Sequence, residues 1–102
     1  MRARTSTRRE IVAGTRIHAK KRARSRYGVN LNHAAYSQIC SMIQERQSLS
    51  TVKMGGRLLC LLEYQGQELV AIYSIRRREI ITFLPPDCEE RPLLEAARKE
   101  VR

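Results

Sequence analysis

The chain has 102 residues, the size of one domain with a single modest hydrophobic core, and its formal net charge is +10. The first 26 residues hold ten Lys or Arg against one acid, Glu10, so nearly all of the net charge lies in this first quarter. A polyanion would neutralise such a concentration of charge with release of counterions, which makes nucleic acid the expected partner.

No apolar run is long enough for a transmembrane span or a secretory signal, and no membrane partner is expected. Transit peptides are also Arg-rich and acid-poor, so that alternative stays open for residues 1–14.

The three cysteines, Cys40, Cys60 and Cys88, form no close pair of the kind that zinc sites use. Cys40 and Cys60 stand inside apolar stretches, as small buried residues of a protein in a reducing compartment do. The sequence therefore predicts inert thiols and a cytoplasmic location. It has no pattern that points to a metal ion or an organic cofactor.

Residues 1–14 are largely polar and basic, and we expect them to form a flexible arm that orders on a partner. A first helix is predicted from Thr15, a capping residue, to Gly28, a residue type that often ends helices. At 100° per residue this helix has one narrow apolar stripe between two basic flanks. The stripe is Ala19, Ala23 and Tyr27, and the flanks are His18, Arg22 and Arg26 on one side and Lys20 and Arg24 on the other.

A second helix is predicted after the capping residue Asn32, and its apolar residues recur at helical spacing to about Gln47. After Ser48 short apolar runs bounded by turn residues predict four strands, at 51–54, 57–64, 68–75 and 79–84. Because the connections are short, the strands should form an antiparallel meander with the two helices on one face. The fold class is therefore α+β, with a folded domain at 15–86 and a tail or short helix at 87–102.

His18 is the main candidate for chemistry, because Arg22 follows it by four residues and Arg26 continues the row on the same side of the helix. An imidazole can move the proton when a 2′-hydroxyl attacks an RNA phosphate, while a guanidinium neutralises the phosphate in the transition state. A lone histidine in a basic helix is more often a solvated residue, so both interpretations stay open. Tyr73 and Thr82 have hydroxyls that could contact a phosphate or orient the histidine, although both residue types favour strands in any case.

The connection between the third and fourth strands is a run of three arginines, which forms an exposed turn and could extend a phosphate-binding surface. The candidate nucleic-acid-binding residues are therefore Lys20, Lys21, Arg24, Arg26, Arg76, Arg77 and Arg78, with Arg8 and Arg9 in the arm.

The segment His18-Ala19-Lys20-Lys21-Arg22-Ala23-Arg24-Ser25-Arg26-Tyr27-Gly28 has the form His-Ala-x-x-Arg-x-x-x-Arg-Tyr-Gly. The later segments Ile72-Tyr73-Ser74 and Ile80-Ile81-Thr82-Phe83-Leu84-Pro85 end the predicted meander. In these motifs and in the order of its elements, the chain resembles the small RNase toxins and the phage or plasmid proteins of the barnase, colicin and RelE superfamily. The resemblance covers residues 15 to 86.

That resemblance implies that His18 is the general acid or base, that Arg22 clamps the phosphate, and that Thr82 supports them with Tyr73 nearby. It also implies a metal-independent endoribonuclease, possible partners being RNA, the ribosome and an acidic antitoxin or inhibitor protein. Related sequences place an acid where this chain has Ser74 or Ser25. A second class of function therefore stays open, a non-catalytic nucleic-acid-binding or regulatory protein on the same fold.

Overall fold

Four antiparallel strands, each paired with the next in sequence, form a sheet of order β1-β2-β3-β4 in the computed structural model, which describes residues 8–100. The fold is α+β, as predicted, with two helices before the sheet and a shorter helix after it. The helices are α1 (Arg8–Tyr27), α2 (His33–Gln44) and α3 (Arg91–Glu100), and the strands are β1 (Ser50–Met54), β2 (Arg57–Tyr64), β3 (Gln67–Ser74) and β4 (Glu79–Leu84). No helix in this described part is both long and apolar enough to cross a membrane.

The start of α1 differs from the prediction, because the helix begins at Arg8 rather than near Thr15. The second half of the predicted flexible arm is therefore helical. Once a helix exists, each further residue adds one hydrogen bond, so a helix can extend past a residue that would also serve as its cap. Residues 1–7 of the predicted arm lie outside the described residues.

The end of α1 and the start of α2 both lie where local sequence signals predict them. Gly28 has a φ of +69°, a left-handed conformation that favours glycine, and its N–H bonds to the carbonyl of Arg24 at 2.9 Å. The next N–H, of Val29, bonds to the carbonyl of Ala23 at 3.3 Å, which completes the usual glycine-terminated helix end. Asn32 caps α2 as predicted, since its side-chain oxygen accepts from the N–H of Ala35 at 2.8 Å.

The helix α1 lies along β4, one of the two edge strands, and runs in the same direction, since Arg16, His18 and Arg26 contact successive residues of that strand. Its predicted apolar stripe is confirmed, because Ala19 and Ala23 are fully buried and Tyr27 is nearly so. Alanine has the smallest apolar side chain, so the backbone of α1 can approach the strand closely along this stripe. A narrow stripe also leaves both flanks of the helix outside the core.

Two side chains from the helices bond to the outer backbone edge of β4. Arg26 donates to the carbonyl of Phe83 at 2.8 Å. The hydroxyl of Tyr36, on α2, accepts from the N–H of Ile80 at 3.1 Å and donates to the carbonyl of the same residue at 2.9 Å. These contacts satisfy backbone groups that an edge strand otherwise leaves unpaired.

The hydroxyl of Tyr27 joins β4 to β3. It donates to the carbonyl of Leu84 and accepts from the N–H of Val70, the residue paired with Leu84 across the two strands, at 3.1 Å. The end of α1 is therefore attached to two strands of the sheet.

Both faces of the sheet are covered. The face under α1 and α2 carries the larger cluster of buried side chains, which includes Leu62, Leu69 and Phe83. The opposite face carries a smaller cluster in which Leu94 of α3 packs against Leu59 and Leu61 of β2. The two N-terminal helices thus share one face, as predicted, and α3 takes the other.

A β-bulge in β4 breaks the alternation of side chains that would otherwise place Ile80, Thr82 and Leu84 on one face of the sheet. Ile72 pairs with Thr82 while its neighbour Tyr73 pairs with Ile80, so Ile81 is the extra residue. Ile80 therefore belongs to the cluster under α1 and α2, and Leu84 packs against the opposite cluster. The sequence has no glycine or proline at this position that would mark a bulge.

We predict that Tyr36→Phe lowers the free energy of unfolding by about 1–3 kcal/mol, because the variant leaves a buried N–H and a buried carbonyl of Ile80 without a partner. Tyr64→Phe is the matched control, since the hydroxyl of Tyr64 makes only an exposed 3.4 Å contact with Gln65. Urea denaturation of both variants measures the difference. Equal losses of stability would show that the Tyr36 hydroxyl does not hold the edge of β4.

Candidate nucleic-acid interface

The exposed surface of α1 is positively charged along its length. From Gly14 to Tyr27 the helix has six Lys or Arg and no acid. Arg16 forms an ion pair with Glu79. The remaining five, which we call the basic face of α1, form no ion pair with any acid among residues 14–99, whose side chains the structure describes; they are Lys20, Lys21, Arg22, Arg24 and Arg26.

The residues of the basic face differ in how accessible they are to a ligand. Lys21, Arg22 and Arg24 are exposed, whereas Lys20 and Arg26 are half-buried. The ammonium group of Lys20 lies 5.8 Å from the centre of the Tyr36 ring, a cation–π distance that orients this lysine toward α2. The cations of the basic face are thus available to phosphate groups without first breaking a salt bridge.

His18 and Thr82, both predicted site residues, are in contact. The Nε2 atom of His18 lies 3.3 Å from the hydroxyl oxygen of Thr82, and His18 is exposed. Arg22 follows His18 by one helical turn on the same side of α1, between the His18–Thr82 contact and the bond from Arg26 to Phe83. The structure therefore places an imidazole, a hydroxyl and an exposed guanidinium in one row beside the β4 edge.

Tyr73, the remaining predicted catalytic residue, lies at a different place. Its hydroxyl accepts a hydrogen bond from the amide nitrogen of Gln44 at 2.7 Å, and its ring lines a cavity to which His18, Arg22 and Thr82 do not contribute. Burial raises the pKa of Tyr73, and the hydrogen bond from Gln44 only partly opposes this, so the hydroxyl is neutral at physiological pH. Tyr73 is not placed to orient His18.

The three arginines between β3 and β4 form an exposed turn, as predicted. The side chain of Arg77 is engaged within the protein, because it pairs with Glu79 at 3.0 Å and donates to the hydroxyl of Thr15 at 2.7 Å. These contacts hold the turn against α1, so that Arg76 and Arg78 extend the positive surface beyond the helix. Arg8 and Arg9 lie in the first turn of α1, and their side chains are outside the described structure.

Glu79 is a buried acid that the sequence did not single out. It is 2% exposed and lies between Arg77 and Arg16, whose nitrogens are 3.0 and 3.7 Å from its carboxylate oxygens. Neither oxygen has a partner with hydrogen-bond geometry among the described residues. Burial raises the pKa of Glu79, and the two nearby guanidinium groups lower it by less. The only local signal was an acid that directly follows three arginines.

The two buried cysteines have unreactive thiols. Cys40 and Cys60 are buried, as predicted, and burial raises the pKa of both thiols, that of Cys60 to about 11. They are therefore protonated at physiological pH. Within residues 14–99 no three side chains of His, Cys, Asp or Glu come together as ligands of a metal ion would.

Comparison of the chain with protein-family models, with curated proteins and with solved structures gave no match. The resemblance to the barnase, colicin and RelE superfamily therefore stays a prediction.

The variant Glu79→Gln tests how ionisation of the buried Glu79 changes the stability of the fold with pH. Because the folded-state pKa of Glu79 is raised above its ordinary value of 4.5, the acid favours folding most when it is protonated, below that value. This contribution is lost as pH rises through the folded-state pKa. We therefore expect the stability of the wild type relative to Glu79→Gln to decrease between pH 4 and pH 7 in urea denaturation.

The exposed acid Glu63 of β2 offers a control, since Glu63→Gln makes the same change of charge at the protein surface. It separates the effect of the buried site from that of one unit of net charge. A wild type that gains stability over Glu79→Gln as pH rises would show that the two arginines outweigh burial.

Proposed function

We propose that the protein binds RNA through the basic face of α1, with Arg76 and Arg78 extending the contact. The observation that carries the proposal is that the five cations of this face have no acidic partner among the described residues. Unpaired surface cations repel one another, and phosphate groups remove that repulsion with release of counterions. Other acids of the chain pair with arginines away from this face, as Glu68 does with Arg91 and Arg98.

The basic face favours binding that depends weakly on sequence. It consists of Lys and Arg, which contact phosphates. Pairs of residues four apart form two rows along the helix, Lys20 with Arg24 and Arg22 with Arg26, rather than a pocket around one base. Arg26 is held by the carbonyl of Phe83, so one of these rows is partly rigid before a ligand arrives. A rigid row of cations supports steering and orientation of an RNA backbone.

A second candidate function, RNA cleavage, is favoured by the contact between His18 and Thr82. In this proposal neutral His18 takes the proton of a 2′-hydroxyl, whose oxygen forms a bond to phosphorus while Arg22 neutralises the phosphate charge. The bond between phosphorus and the 5′-oxygen breaks, and the imidazolium returns its proton to that oxygen. The products are a 2′,3′-cyclic phosphate and a 5′-hydroxyl. Thr82 is a positioning residue that restrains the imidazole ring.

Binding ranks above cleavage because His18 is the one exposed acid or base in this row. Glu79 is buried and engaged by Arg16 and Arg77, and Tyr73 is neutral and elsewhere. A cleavage reaction on this surface therefore depends on one imidazole for both proton transfers. Binding requires no acid or base.

The double variant Arg22→Gln/Arg24→Gln should weaken RNA binding and reduce its salt dependence, because it removes two phosphate contacts. Each phosphate of a single strand contributes about 0.7 to the slope of log K against log salt, so the slope should fall by about 1.4. Fluorescence anisotropy of a labelled RNA oligomer at several salt concentrations measures both quantities.

The matched control is Arg57→Gln/Lys99→Gln, which removes two exposed cations outside the basic face of α1. This control should keep the wild-type slope. A nearly flat slope for the wild-type protein, or equal losses in the two double variants, would contradict binding through the basic face of α1.

His18→Ala should lower the rate of RNA cleavage by about 100-fold or more, since it removes the group that moves the proton. RNA affinity should stay within about twofold of wild type, because all five cations of the basic face remain. His33→Ala is the matched control, as it replaces the chain's other histidine, exposed at the start of α2. Purified proteins are incubated with RNA and the product ends are analysed. Equal cleavage by His18→Ala and wild type, or none by either, would remove the second candidate function.

A further inference from the structure

A cavity of about 670 Å³ lies between the end of α2, the segment that leads into β1, and the adjoining ends of β2 and β3. Its volume is within the range of about 300–1,000 Å³ that is usual for small-molecule sites. Neither the basic face of α1 nor the His18–Thr82 pair contributes to its lining. The cavity therefore has to be explained separately from the proposed interface.

Three cations and no acid line the cavity: Arg46, Lys53 and Arg78. All three are exposed, so they stand at the solvent side of the cavity, while the apolar side chains of Ile43 and Leu58 are more deeply placed. A ligand that fits this distribution has an apolar part for the interior and a negative charge for the rim.

The interior also offers hydrogen-bonding groups. The hydroxyl of Ser48, a residue of the cavity lining, is buried and has no hydrogen-bond partner among residues 14–99. Gln44 uses its amide nitrogen to donate to Tyr73, which leaves the amide oxygen and the Tyr73 hydroxyl hydrogen for a ligand. A buried polar atom without a partner is costly, and a ligand with polar edges would satisfy it.

We propose that this cavity binds one nucleotide of an RNA strand, with its base inside and its phosphate at the three cations. A nucleobase is flat, largely apolar on its faces and polar at its edges, and the phosphate carries the negative charge. The guanidinium groups of Arg46 and Arg78 can also stack on a base. A nucleotide thus combines the three properties that the lining requires.

The position of the cavity links it to α1. Arg78 and Gln44 also line a second, smaller cavity, of about 220 Å³, whose wall includes Arg16 of α1 and Glu79. A strand that follows the basic face of α1 toward the start of the helix therefore reaches Arg78. This proposal rests on the proposed RNA binding, and it adds a site that holds one base of the strand.

The test uses the full chain and isothermal titration with each of the four ribonucleoside 5′-monophosphates, with the corresponding nucleosides and with inorganic phosphate. At least one monophosphate should bind more tightly than its nucleoside and than inorganic phosphate. Arg46→Gln/Lys53→Gln should weaken its binding about tenfold or more, because two charge-assisted contacts are lost. Arg57→Gln/Lys99→Gln, which removes two cations outside the cavity, should bind it as the wild type does.

Two further measurements separate this proposal from the proposed function. Arg22→Gln/Arg24→Gln should bind the monophosphate as the wild type does even though its RNA affinity falls, and a short RNA oligomer should displace the monophosphate from the wild-type protein. Monophosphates that bind no better than inorganic phosphate, or a cavity variant with wild-type affinity, would overturn the nucleotide site. Binding of a monophosphate that RNA does not displace would overturn its assignment to a strand.

Discussion

The structure depends on how the outer edge of β4 is covered. An edge strand presents a row of backbone groups that need partners, and here the partners come from two helices that precede the sheet in sequence. The hydroxyl of Tyr36 and the guanidinium of Arg26 bond to backbone groups at this edge. The hydroxyl of Tyr27 bonds to the carbonyl of Leu84 in β4 and to the N–H of Val70 in β3. Because these bonds fix the position of α1 along β4, they also fix which of its residues stand beside the strand and which face the solvent.

The packing of α1 on β4 determines which charged and polar side chains are exposed. A stripe of two alanines and a tyrosine is wide enough to attach α1, yet too narrow to bury its flanks, so the basic face stays accessible. The same alignment brings His18 beside Thr82, and it places Arg16 over the buried carboxylate of Glu79. One packing arrangement therefore produces both the row of cations that we assign to RNA binding and the histidine that we consider for cleavage.

Local signals in the sequence predicted much of this structure, and tertiary contacts account for the rest. The bounds of β2 and β4 and the Asn32 cap were predictable because strand periodicity and capping act over a few residues. The bulge at Ile81 and the burial of Glu79 were not, since both depend on what packs against β4 rather than on neighbours in sequence. For the candidate site, helical spacing placed His18 and Arg22 on one side of α1. The family resemblance added Thr82 and Tyr73 to them, and the structure brings only Thr82 beside His18.

Amide chemical shifts of the protein titrated with an RNA oligomer show where on its surface RNA binds. If RNA binds along the basic face of α1, large shift changes should fall within residues 14–27 and at the turn of residues 76–78. The changes should be small in α3, which lies on the opposite face of the sheet. Changes centred on α3, or none at RNA concentrations that saturate the anisotropy signal, would show that RNA does not bind along the basic face.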